Sequence, residues 1–70
     1  MNYVIMRYSY AGKRDVFLRM GGGWTVEAPD AEIFYTLKDA VKAATAKGGE
    51  KVISNYGYGD QSVVWVKPER

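Results

Sequence analysis

TLKDAVKAATAKGG, residues 36–49, reads as an amphipathic helix. Leu37, Ala40, Val41 and Ala44 fall at i, i+3, i+4 and i+7 and so share one face. Thr36 stands where an N-cap belongs, with Asp39 three residues on, and Lys47 followed by Gly48 suits the C-terminal end. The small alanines on the apolar face predict close packing of the helix onto a sheet. Lys38 and Lys42, four residues apart, belong to a solvated outer face.

The segments on either side of this helix read as strands. YVIMRYSY, residues 3–10, is rich in β-branched and aromatic residues and runs into a turn signal at Gly12, followed by DVFLRM, residues 15–20. A hairpin pairing Tyr10 with Asp15 sets Tyr8 against Phe17, Met6 against Arg19 and Ile5 against Met20, with apolar residues on both faces. Because both faces are apolar, the pattern alone fixes the register weakly. Gly21, Gly22 and Gly23 make a connection tolerant of positive φ, and residues 24–27 form a third strand ended by Ala28, Pro29 and Asp30.

Beyond the helix, residues 50–56 and 61–67 form a second hairpin. A three-residue loop pairs Val52 with Val66, and a four-residue loop pairs Val52 with Trp65. The expected fold is therefore α+β, an antiparallel sheet of about five strands with one helix on one face, in the order βββαββ. The chain reads as a single domain over residues 1–70, with loose residues expected only at Pro68, Glu69 and Arg70.

Composition narrows the function. The 70 residues contain no histidine and no cysteine, the side chains most used for neutral-pH proton transfer, thiol chemistry and transition-metal binding. No carboxylates or hydroxyls sit at a spacing that demands a catalytic pair, and the acidic group around Asp30 and Glu32 lacks the alternation of a calcium loop. The expectation is a protein that is not an enzyme and uses no cofactor or metal. No run of about 18 apolar residues suggests a membrane span, and the N-terminus lacks a basic segment followed by an apolar one, so a cytoplasmic protein is expected.

The glycine segments are turns by the same reasoning. Gly21–Gly23 precedes Trp24 and Thr25, where a phosphate loop needs a helix start. Gly57, Tyr58 and Gly59 match the Gly-aromatic-Gly core of the RNA-recognition signature, but Tyr56 stands where that motif has a basic residue and Asp60 where it has an aromatic.

Two Trp, six Tyr and two Phe are more than one short helix can cover, so some rings must be exposed, and exposed Tyr and Trp are enriched at protein interfaces. The first expectation is a protein-binding module that uses Tyr10, Lys13, Arg14, Tyr56, Tyr58 and Asp60 on the two hairpin tips. The second is a nucleic-acid-binding domain using Arg7, Tyr8, Lys13 and Arg19 of the first hairpin, although ten Lys and Arg against eight Asp and Glu give only +2. A sheet face left bare by a single helix also admits a homodimer, with Ile53, Val63 and Trp65 as candidate contacts.

Gly22-Gly23-Trp24-Thr25-Val26, followed by Leu37-Lys38-Asp39-Ala40-Val41 with Ala43 and Ala44, resembles small domains of bacteria and their phages in which a Gly-Gly-Trp-x-Val strand precedes an Ala-rich helix. The resemblance implies a compact sheet-plus-helix module and carries over no functional residue. In size class the chain is also similar to phage-encoded inhibitors of host machinery, including anti-CRISPR proteins, which implies a blocker of a bacterial host protein.

Overall fold

A computed structural model describes residues 2–57 and 59–67. The strands are β1 (Tyr3–Ser9), β2 (Arg14–Leu18), β3 (Trp24–Thr25), β4 (Lys51–Ser54) and β5 (Ser62–Trp65), and the helix α1 (Leu37–Lys47) lies between β3 and β4. All pairings are antiparallel, and the strand order is β3-β2-β1-β4-β5, with β1 at the centre. The α+β architecture read from the sequence is the one observed.

Alternation along the strands sorts the core into two layers. Ile5, Leu18 and Val52 point toward α1 and meet Ala40 and Ala44, with Tyr3, Trp24, Phe34 and Val41 around them. Val4, Met6, Phe17 and Ile53 point the other way and form a second cluster with Ala31. The helix thus covers one face only.

The ends of α1 follow their capping residues. Thr36 Oγ1 accepts the Asp39 backbone N–H at 3.2 Å, and Gly48 adopts the left-handed conformation at φ 81°. The Gly48 and Gly49 N–H groups both donate to the Ala44 carbonyl, which closes the last turn. Gly49 then passes beneath the helix: a Cβ there would lie 2.5 Å from Ile5 Cγ2 and 3.2 Å from Ala44 Cβ. The chain needs glycine at this point to bring β4 tightly against α1.

Both hairpin registers differ from the sequence expectation. In the first, Tyr8 pairs with Asp15 and Met6 with Phe17, in place of Tyr10 with Asp15, Tyr8 with Phe17 and Met6 with Arg19. The shift is two residues, so every side chain keeps its expected face. The turn keeps four residues but sits one residue earlier than expected, at residues 10–13, where Lys13, not Gly12, takes the positive φ of 56° and Ser9 Oγ accepts the Gly12 N–H. In the second hairpin Val52 pairs with Val64, so neither expected register occurs. The loop is longer than expected because Asn55 turns at φ 54° directly after β4, and Ser54 and Ser62 close the ladder with a hydroxyl hydrogen bond of 2.5 Å.

The third strand is shorter than residues 24–27, since Glu27 donates its N–H to Thr25 Oγ1 and the chain leaves the ladder for a 3-10 turn at Ala28–Asp30. Gly21, Gly22 and Gly23 all have positive φ, as their placement in a tight connection requires. Residues 31–34 then wedge between the diverging ends of β1 and β2. Ala31 bridges to Arg19, and Phe34 exchanges both backbone hydrogen bonds with Tyr3. Pro68, Glu69 and Arg70 lie outside the described residues.

Candidate functional site: the bare sheet face

The face away from α1 is covered at one end and open at the other. At the Tyr3 end of β1, residues 28–33 and Tyr56 fold over Val4 and Phe17. Tyr56 meets Phe17 edge to face, with ring centroids 5.1 Å apart. Between these groups lies a cavity of about 310 Å³ lined by Asn2, Val4, Phe17, Ala28, Pro29, Ile33 and Tyr56. Among the described residues its wall contains no carboxylate, lysine or arginine, and its one titratable group is the Tyr56 phenol.

At the Ser9 end the same face carries a connected set of groups, exposed at the Tyr10 and Trp65 rings and half-buried at the Lys51–Asp15 pair between them. Tyr10 is 81% exposed and stands edge to face with Tyr8, their centroids 5.0 Å apart. Tyr8 pairs across the sheet with Asp15, and Asp15 Oδ2 accepts a hydrogen bond from Lys51 Nζ at 3.0 Å. Lys51 pairs with Trp65 on β5, and its ammonium lies 5.4 Å from the Trp65 ring centre. Trp65 is 71% exposed, with Val63 beside it on the same face. The parity of the strands dictates this grouping: once Ile5 and Val52 face the helix, the even positions of β1 and the odd positions of β5 must face away.

Charge separates along the strand direction. Around the Ser9 end stand Arg7, Lys13, Arg14, Lys47, Lys51 and Lys67, against Asp15 and Glu50. Around the Tyr3 end stand Asp30, Glu32, Asp39 and Asp60, against Arg19 and Lys38. A net charge of +2 conceals this polarity, because the two ends partly cancel.

The hairpin-tip residues expected to form one partner surface are divided between the two ends. Tyr10, Lys13 and Arg14 occupy the Ser9 end, and Tyr56 and Asp60 the opposite one, because β4 runs antiparallel to β1. Tyr58 lies outside the described residues. Nor do the four residues of the nucleic-acid reading converge. Arg7 lies on the helix side, its guanidinium 4.3 Å from the Trp24 ring centre. Tyr8 lies on the bare face, Lys13 in the turn, and Arg19 at the Tyr3 end.

Trp65 belongs to the exposed set, although the sequence reading placed it only in a self-association patch. The missing signal was strand parity, which links Trp65 to Tyr8 and Tyr10 once one residue of each strand is known to face the helix. Among the described residues no three His, Cys, Asp or Glu side chains gather to hold a metal ion, and no helix is long and apolar enough to cross a membrane. The fold and this surface define a small α+β domain with one helix-covered and one bare sheet face. No family model, curated protein or solved structure matches the chain.

Proposed function

We propose that this chain is a non-enzymatic protein-binding module, docking an acidic patch of its partner against the Ser9 end of the bare face. Tyr10 and Trp65 are the anchors, and Tyr8, Lys51 and Lys13 complete the contact. The supporting observation is the placement of two highly exposed aromatic rings on one face, joined through Tyr8, Asp15 and Lys51 by direct contacts and strand pairing. Exposed Trp and Tyr that are already held in position lose little conformational freedom on binding, which is why such residues dominate interface energetics. The excess of Lys and Arg around them favours an acidic partner.

A protein partner fits better than nucleic acid. Asp15 neutralises Lys51 within the patch and the Glu50 carboxylate accepts the Tyr8 N–H beside it, so the face lacks the run of cations that a phosphate backbone needs, while Lys13 and Arg14 beyond the pair suit a local acidic patch. The test is affinity capture from a bacterial lysate with and without nuclease, comparing the parent chain with Tyr10→Ala/Trp65→Ala and with Lys38→Ala/Lys42→Ala on the outer helix. A partner that survives nuclease, is lost by the aromatic double variant and is kept by the helix variant supports the reading. Capture that nuclease abolishes, or that the aromatic variant retains, refutes it.

A further inference from the structure

The two edges of the sheet are unequal. On one side β3 has only two residues, and a short edge offers little template for pairing. On the other side β5, Ser-Val-Val-Trp, carries no charge and no proline, and all four residues are exposed. The charged side chains and prolines that commonly keep an edge strand from adding another strand are therefore absent from Ser62–Trp65.

The hydrogen-bond phase identifies the groups on offer. Val66 N–H donates to the Glu50 carbonyl at 2.9 Å, so in an antiparallel ladder with Val52 opposite Val64 the bonded pairs include Val64 with Val52. Val63 and Trp65 fall between bonded pairs, and their N–H and C=O groups point out of the sheet at its free edge. Their side chains lie on the bare face.

We infer that β5 pairs antiparallel with β5 of a second copy of this chain, about a two-fold axis at Val64, to make one continuous sheet. Val63 of each copy then exchanges both backbone hydrogen bonds with Trp65 of the other. Both helices stay on the same side, and the two Trp65 rings flank the centre of the opposite face. Charge favours a second copy as the occupant. At the β5 edge the charges that meet are Asp60 before the strand and Lys67 after it, so antiparallel pairing brings Lys67 of each copy toward Asp60 of the other. Continued in register, it sets Lys67 opposite Gln61 of the second copy, next to Asp60.

Sedimentation equilibrium from micromolar to millimolar concentration reads the association directly. The parent chain is expected to dimerise. Val63→Pro removes an N–H that the monomer does not use, so it is expected to keep the parent far-ultraviolet circular dichroism and remain monomeric. Gln61→Glu, facing Lys67 of the other copy twice per dimer, is expected to tighten association by roughly fourfold, and Gln61→Lys to weaken it by a similar factor. A parent chain that stays monomeric overturns the inference, as does a folded Val63→Pro variant that still dimerises. Gln61 variants with an unchanged dissociation constant overturn it too, and they do so even if Val63→Pro fails to fold.

Discussion

Gly49→Ala adds a single methyl group at the tightest point of the core. The new Cβ would lie 2.5 Å from Ile5 Cγ2, 3.2 Å from Ala44 Cβ and 3.3 Å from Ala44 Cα. None of these atoms can yield cheaply. Ile5 is fully buried and its Cγ2 sits on a β-branch with little rotamer freedom, while Ala44 Cα is helix backbone. Overpacking of this kind costs about 1–3 kcal/mol. Gly49 does not have a positive φ, so alanine also restricts the unfolded chain and returns about 0.4–1 kcal/mol. The expected net loss is about 1–2 kcal/mol, which for a domain of this size lowers Tm by roughly 4–16 °C. Urea denaturation and thermal melting measure it, with Gly59→Ala as the control. Gly59 has open space around its Cβ position and no positive φ, so that change is expected to be near neutral. A Gly49→Ala variant as stable as the parent would refute the claim that glycine is needed for close contact between α1, β1 and the start of β4.

Thr36→Ala removes the side chain that caps α1 and is expected to cost about 1 kcal/mol, whereas Thr36→Ser keeps the acceptor and restores most of it; chemical denaturation of the three proteins checks this. Arg7→Ala removes the guanidinium from the Trp24 face beside the C-terminal end of α1, and a loss of about 1 kcal/mol is expected. Arg7→Lys is expected to recover part of that loss in the same melts, and a fully neutral Arg7→Ala would show the ring contact to be incidental.

How far the fold could be read from the sequence depended on how local each signal was. The helix was legible down to Thr36 and Gly48 because capping and the 3.6-residue period act within a few positions. The strands were legible as segments, but their registers depend on positive-φ turns at Lys13, whose residue type gives no sign of one, and at Asn55, a residue type that tolerates that region but that was read as part of the strand over residues 50–56. The expectation of positive φ went to glycines, and in the first hairpin Gly12 did not need it. The candidate site was legible residue by residue but not as a group. Tyr10 and Tyr56 both read as tip aromatics, and only the placement of β4 antiparallel to β1 sends them to opposite ends. The charge polarity was invisible for the same reason, because residues far apart in sequence such as Arg14, Lys47 and Lys67 meet at one end through long-range pairing.

The most direct measurement on the proposed docking surface is site-specific photo-crosslinking in a bacterial lysate, with the probe placed in turn at Trp65, at Tyr10 and at Lys42 on the outer helix. Docking through the bare face predicts one shared protein adduct from positions 65 and 10, resistant to nuclease and absent from position 42. An adduct formed from position 42 alone, or nucleic acid crosslinked at position 65, would contradict it.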